Sequence, residues 1–416
     1  MRATLLPGES SLGVMGGGQL GRMFVHAAQS LGFRTVVLDP DTDSPAGLVA
    51  HQHIRADYLD PNGLNQLAQQ CAAITTEFEN VPAEALEQLA QTRFVAPAGA
   101  SVAICQDRAA EKAHFAASAV ACAPYAVITT EADLLAVGDD LLPGILKTAT
   151  MGYDGKGQVR VRSRSDLAAA WAELKQVRCV LEQMLPLALE ISVISARSDR
   201  GDIVQFPVQQ NLHIDGILAV TQVPAPDVSQ ELQAQALASA ARIAASMNYV
   251  GVLCVEFFVL QDGRLIVNEM APRPHNSGHY TMNACDLSQF DLQVRAMAGL
   301  PLTQPRLHSP TVMLNLLGDL WFMEQAPTAA GTQPAPRGGA ALLGGGPAQG
   351  AAPGVERTPA WDQVLALPGT HLHLYGKANA RPGRKMGHLN ITAGTPEQAE
   401  STARRAAALL GLSIAW

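Results

Sequence analysis

Residues 251–272 read GVLCVEFFVLQDGRLIVNEMAP, two apolar runs rich in Val and Ile on either side of Gln261-Asp262-Gly263-Arg264. An Asp-Gly pair between such runs signals a β-hairpin. A two-residue turn at Asp262 and Gly263 sets Gln261 opposite Arg264 and, counting back along both strands, Glu256 opposite Glu269. Carboxylates so placed have Cβ atoms about 4.5–5.5 Å apart and destabilise a sheet unless something neutralises them. A divalent cation does so, and Mg²⁺ is commonly shared between one or two carboxylates and substrate phosphates. The bland reading is a solvated sheet edge; against it, Val255 and Val267 supply an apolar opposite face that anchors the hairpin over a core. A three-residue loop breaks the pairing. Strict alternation also sends Asn268 to the other face, so that only a bulge or a backbone contact brings it to the metal.

Upstream, MGYDGKGQ (151–158) places glycines at 152, 155 and 157 around Tyr153, Asp154 and Lys156. Glycine lets backbone N–H groups approach phosphate oxygens and the lysine adds a point charge, although the pattern is not a Walker A loop and a plain hairpin has the same composition. Lys147 ends the preceding strand candidate, GILKTAT, and can reach the same phosphates. CVLEQML (179–185) reads as a buried strand able to offer edge backbone groups to an adenine ring, with Glu190 suited to ribose hydroxyls. RPHNSGHYT (273–281) and KANARPGRKMGH (377–388) are polar, glycine-broken stretches; Lys377, Arg381, Arg384 and Lys385 form a cationic cluster matched to phosphate or to nothing but water. His213, His275 and His279 lack zinc-ligand spacing.

At the N-terminal end, VMGGGQLGRM (14–23) satisfies GxGxxG through Gly16, Gly18 and Gly21, the spacing of many dinucleotide-binding turns, and Asp39 stands near where a ribose-binding acid is expected. Strand, glycine turn, helix and the β-branched run Thr35-Val36-Val37 make a βαβ unit. AAITTEFENV and PAEALEQLAQ continue the alternation to about residue 100, predicting a parallel sheet. Beyond residue 106 lie a charged helix, RAAEKAHFAASAV, and a small unit. From LEISVISARS onward the strands read as antiparallel. We therefore expect three domains, 1–105, 106–186 and 187–416, with a Pro/Ala/Gly-rich loop or linker over 324–359 and a C-terminal alanine-rich helix.

The 416 residues, 48% hydrophobic and 16% charged, supply ample core for two or three domains. A formal net charge of −8 argues against a general nucleic-acid or membrane-surface binder. Six scattered cysteines without CxxC speak against a zinc knuckle or redox pair and fit a reducing cytoplasm. No apolar run approaches the ~18 residues of a membrane span.

Taken in order, GGGQLGRM, TTEFENVP, the helix from Arg108 to Lys112, GYDGKGQ, LEQ, NLHIDGI, NEMAPRPHNSGHYT and RPGRKMGHLN resemble the ATP-grasp ligases and, among them, the N5-carboxyaminoimidazole ribonucleotide synthetase family. The resemblance implies a mixed α/β fold of three domains: a Rossmann-like N-terminal domain, a small ATP-grasp lid and a larger antiparallel-sheet domain. It implies ATP- and bicarbonate-dependent carboxylation of 5-aminoimidazole ribonucleotide through carboxyphosphate, in a cytoplasmic homodimer that binds neither nucleic acid nor membrane. ATP is then expected at Arg108, Lys147, Met151, Gly152, Gly155, Gly157, Glu182, Gln183, Leu185, Glu190, His213 and Asn268, with Mg²⁺, or Mn²⁺ in its place, on Glu256 and Glu269. The imidazole nucleotide is expected at Gln19, Leu20, Glu77, Asn276 and Ser277, its phosphate at Lys377 and Arg384. Tyr153, Asp154 and Lys156 are the expected catalytic residues, Asp154 orienting the amine. Met151 stands where a glycine is common and Lys156 where an arginine is common. Three rivals remain: an NAD-dependent oxidoreductase, another ATP-grasp ligase, and a nucleotide-binding protein without catalysis.

Overall fold

A computed structural model describes residues 2–152, 157–322 and 357–414. Tyr153, Asp154, Gly155 and Lys156, and all but the last three residues of the Pro/Ala/Gly-rich stretch 324–359, lie outside the described residues. Among the described residues the strands assemble into three sheets.

The first is parallel, in the order β3(52–54)-β2(34–38)-β1(11–15)-β4(73–76)-β5(94–95). Its crossovers include α1 (Gln19–Ser30), α2 (Pro61–Gln70) and α3 (Ala83–Ala90). Strands β1, β2 and β4 are buried almost throughout, as runs covered on both faces must be. The second sheet is antiparallel, β6(125–128)-β9(179–183)-β7(144–148)-β8(158–161). The third contains β10(187–197), β11(203–205), β12(209–214), β13(217–223), β14(251–260), β15(265–271), β16(311–317), β17(370–374) and β18(385–392), with β15 at one edge. Helix Gln230–Ser246 covers one face of that sheet through Ala236, Ala240, Ile243 and Ala244, which pack on Ile191, Val193, Val255, Phe257 and Val267. The mixed α/β class with separate parallel and antiparallel sheets is as expected, and the C-terminal helix forms over Pro396–Leu410 behind its Thr395 cap.

Two further helices bind the units together. α4 (Gly99–Gln106) is followed at once by α5 (Arg108–Ala117), whose free N–H groups at Ala109 and Ala110 are both accepted by the Asp107 carboxylate. Phe115 of α5 and the nearby Val120 bury themselves in the core of the large sheet, although sequence position places them with the small unit.

The hairpin of residues 251–272 forms with a different turn from the one its Asp-Gly pair predicts. Leu260 and Arg264 close it, with Leu260 N–H donating to Arg264 O at 2.9 Å and Gly263 N–H to Leu260 O at 2.9 Å, so the loop has three residues. Gly263 occupies the left-handed region at φ +84°, the conformation that completes such a loop. The longer loop moves the register by one: Phe257 pairs with Val267 and Val259 with Leu265. An extra residue, Asn268, then restores it, and Glu256 faces Glu269 after all. The predicted pairing is right because two departures cancel, and the bulge turns Asn268 from the face to which alternation assigned it.

Candidate active site

The face of the large sheet turned away from helix Gln230–Ser246 is polar where the three units meet. Cross-strand neighbours share a face, so Glu256, Glu269, Ser192 and Gln209 form one row, and Glu190 and Asn211 the next. Glu190 Oε2 lies 2.7 Å from His213 Nδ1. Burial lowers the pKa of His213, but the contact with Glu190 and the charges of Glu190, Glu256 and Glu269 together prevail, and the net direction is upward. Burial pushes the Glu256 carboxyl up to about 7, with His213 pulling it down and Glu269 pushing it further up. Glu256 Oε1 is buried and has no hydrogen-bond partner. Two opposed carboxylates, one with an oxygen that no hydrogen bond satisfies, are hard donors that fit Mg²⁺. Cys254 and His275 lie within 4.8 Å of the same carboxylate, but the thiol is sealed in the apolar layer at 0% exposure.

Helix α5 and strands β7 and β9 bring basic residues to this face. Arg108 lies 3.3 Å from Glu269 Oε2 and 3.4 Å from Gly152 O, linking the acidic pair to the start of the glycine loop. Glu182 of β9 is buried between Lys147 Nζ at 3.2 Å and Lys112 Nζ at 3.1 Å. Burial raises the Glu182 pKa, yet the two ammonium groups prevail and bring it down to about 2. Met151, exposed, takes φ +61°, a conformation that disfavours any side chain. Gly157 closes the same loop, its carbonyl accepting Thr148 N–H at 2.8 Å.

Several expected roles change. β9 runs between β6 and β7, so its backbone is already paired and only residues beyond Gln183 are available to a base. The Gln183 side chain donates to Asp140 O at 2.8 Å, whereas Leu185 lies half-buried past the paired segment. Ser277 is fully buried, its hydroxyl accepting from Ser192 at 2.8 Å and lying 2.9 Å from His275 Nδ1, which makes it a support for that ring. Asn276 is also buried, but both polar atoms of its side chain lack a partner, as a ligand-binding amide requires. Leu20 packs in the N-terminal core, while Gln19 opens α1 beside it.

The glycine turn is occupied by the protein itself. Gly18 N–H donates to Glu77 Oε1 at 2.9 Å and Gly21 N–H to Glu77 Oε2 at 3.0 Å. Gly17 N–H donates to Asp39 Oδ2 at 2.6 Å, and Tyr58 donates to the same oxygen at 2.6 Å. A distant carboxylate thus caps α1 where a dinucleotide would place its pyrophosphate. A Cβ at Gly18 would lie 2.4 Å from Glu77 Oε1, which is why glycine stands there. The local pattern that favoured NAD is explained without it.

Sequence reading gave no site role to three residues here. His275 Nε2 lies 3.8 Å from Glu256 Oε1, and Arg273 is half-buried in an ion pair with Glu79. Lys112 is 1% exposed, and its burial beside Glu182 was not legible from a charged helix. Lys377 donates to Lys385 O at 2.8 Å and Arg384 to Asn379 O at 2.7 Å, holding the basic loop between β17 and β18.

Family models match along the chain in the same order: a ribonucleotide synthetase preATP-grasp domain over residues 10–106, an ATP-grasp domain over 113–290, and a phosphoribosylaminoimidazole carboxylase C-terminal domain over 311–402. The N5-carboxyaminoimidazole ribonucleotide synthase of Brucella melitensis is 41% identical over 391 residues, 93% of this chain and 97% of its own. The chain belongs to the N5-carboxyaminoimidazole ribonucleotide synthase family. The Bacillus subtilis synthase is 37% identical over 382 residues, 91% of this chain and 90% of its own. Among solved structures, the Staphylococcus aureus synthetase complexed with ADP superposes with a TM-score of 0.83 at 34% identity, covering 97% of this chain and 99% of that one. The Aspergillus clavatus synthase in complex with ADP and 5-aminoimidazole ribonucleotide gives 0.81 at 30% identity, covering 97% and 98%. No helix among the described residues is long and apolar enough to cross a membrane.

Proposed function

We propose that this synthase draws its carboxyl group from bicarbonate and that the polar face around Glu256 and Glu269 is where it does so. The enzyme is an ATP-dependent ligase that carboxylates 5-aminoimidazole ribonucleotide to N5-carboxyaminoimidazole ribonucleotide in purine biosynthesis. In our reading the γ-phosphoryl group passes to a bicarbonate oxygen, giving ADP and carboxyphosphate. The exocyclic amine then attacks the carboxyl carbon, phosphate leaves with the bridging electron pair, and the amine loses a proton. Such chemistry needs positioning and charge compensation rather than a protein nucleophile.

Glu256 and Glu269, joined by the bulged Asn268, would hold Mg²⁺ or Mn²⁺. When bound, the ion offsets phosphate charge and fixes the direction of the terminal phosphoryl group. Lys147 and Arg108 bring cations to the phosphates, Glu182 and Leu185 line the base end, and Glu190 with His213 presents a polar pair to the ribose. Asn276 offers its unpartnered amide to the imidazole nucleotide, and Lys377 and Arg384 its phosphate counter-charge. Tyr153, Asp154 and Lys156 complete the reacting centre in this proposal. We also propose a cytoplasmic homodimer, to be checked by sizing in solution. The buried Glu256 oxygen that faces Glu269 and accepts no hydrogen bond among the described residues supports the site assignment, since a bound cation would satisfy it.

The test is ADP release with 5-aminoimidazole ribonucleotide and bicarbonate supplied or withheld. Release is expected to be strong only with the nucleotide present, and the product to carry label from ¹³C-bicarbonate. Turnover indifferent to both substrates would point to another ATP-grasp ligase, and binding without phosphate release to a protein that only holds nucleotide.

A further inference from the structure

Strand β15 carries Asn268 and Glu269 at the open edge of the large sheet, where outward N–H groups have no neighbouring strand. Those flanking the bulge are nonetheless satisfied. Val267 N–H donates to Ala121 O at 2.8 Å, and Met270 N–H donates to Glu111 Oε1 at 2.7 Å. Glu111 is 3% exposed and projects from α5 across to the strand.

Arg108, Glu111 and Lys112 are three and four residues apart, so they share one face of α5. Their partners are Glu269, the Met270 amide and Glu182. One helical face therefore touches both the acidic pair and the nucleotide strand β9, and its middle contact is the one made to main chain. A bulge is a local disruption of the ladder, and what pins its flanks decides where its side chains point.

We infer that Glu111 is a positioning residue: by accepting the Met270 amide it holds the Asn268 bulge in the form that turns Glu269 toward Glu256. This rests on the reading of Glu256 and Glu269 as the metal seat. Glu111 touches neither substrate nor metal; it acts through the strand. An amide in its place retains a carbonyl acceptor, whereas an aliphatic side chain of similar size leaves the Met270 N–H buried and unpaired.

The test compares Glu111→Gln, Glu111→Leu and Glu269→Gln in the full chain, measuring ADP release against Mg²⁺ at saturating ATP and, separately, against 5-aminoimidazole ribonucleotide. Glu111→Leu is expected to raise the half-saturating Mg²⁺ concentration about tenfold with the KM for the imidazole nucleotide within twofold of the parent, while Glu111→Gln stays within twofold in both. A folded Glu111→Leu with unaltered Mg²⁺ dependence, or one in which both constants rise together, overturns the inference. Should Glu111→Leu fail to fold, Glu111→Asp replaces it: its shorter reach should raise the Mg²⁺ requirement severalfold, and an unchanged requirement overturns the inference equally. If Glu269→Gln leaves the Mg²⁺ dependence as it was, the metal seat itself is misplaced; if it alone moves the dependence, only the role of Glu111 fails.

Discussion

Two buried carboxyl groups, Glu77 and Glu256, meet opposite fates in this fold. Glu77 accepts the amides of Gly18 and Gly21 and fills the anion-binding end of α1, so that turn needs no further ligand. Glu256 faces a second carboxylate across the hairpin and keeps an oxygen with no partner, though desolvation raises its pKa as it does that of Glu77. A buried polar group left unmade is expensive, and at Glu256, unlike Glu77, a bound cation would remove that cost.

The sharpest way to break this contrast is Glu269→Gln. If the pair holds the metal, kcat for ADP release should fall by about 10³-fold, the scale seen when one preorganised electrostatic element is removed. Stability should stay within about 1 kcal/mol, because the ion pair between Arg108 and Glu269 is partly exposed and the substitution relieves repulsion with Glu256. Urea unfolding beside steady-state kinetics checks both, and normal turnover would put the metal elsewhere.

Glu182 is a third case: satisfied like Glu77, but within the cleft proposed for the nucleotide. Its folded pKa of about 2 lies below the ordinary 4.5, so its contribution to stability is complete above about pH 4.5 and disappears as the pH falls toward 2. Glu182→Gln leaves Lys112 and Lys147 buried without their counter-ion and should lower unfolding free energy by about 3 kcal/mol at neutral pH. The gap from the parent should narrow through that acid window, as urea titrations at stepped pH will read. A gap independent of pH would mean the triad is not ionised as described.

Glu77→Ala sharpens the comparison from the other side. Two amides of α1 lose their acceptor, and unfolding free energy should drop by about 1–3 kcal/mol. A variant of parental stability with a raised KM for 5-aminoimidazole ribonucleotide would instead return Glu77 to the substrate site, where sequence reasoning first placed it.

Fold class and the facing of Glu256 and Glu269 were legible in the sequence because they depend on local periodicity: Thr35-Val36-Val37, the hairpin runs and the capped helices announce themselves within a few residues. What was not legible depends on distant packing. Nothing in GGGQLG states that Glu77, 59 residues beyond Gly18, will fill its amides. Nor does RAAEKAHF state that Lys112 will be buried against Glu182 or Glu111 against Met270. Ser277 looked like a ligand in NSGH because the sequence cannot reveal that Ser192 takes its hydroxyl. Even the pairing of Glu256 with Glu269 was reached through a turn of the wrong length, corrected by a bulge at Asn268 that strict alternation does not supply.

That turn yields the smallest test. In a two-residue loop of the I′ type both Asp262 and Gly263 adopt positive φ; here Gly263 does and Asp262 does not. Gly263 has open space around it, so adding a methyl group meets no clash and only the left-handed backbone resists. Gly263→Ala should therefore lower unfolding free energy by about 1 kcal/mol, and Gly263→Asn by less, since asparagine tolerates that region. Neither should alter kcat or the Mg²⁺ requirement, because the Asn268 bulge lies between the loop and the acidic pair and its flanks are pinned from outside the hairpin. A change in Mg²⁺ dependence in Gly263→Ala, measured beside its unfolding curve, would show that the turn and not the edge contacts of β15 sets the direction of Glu269.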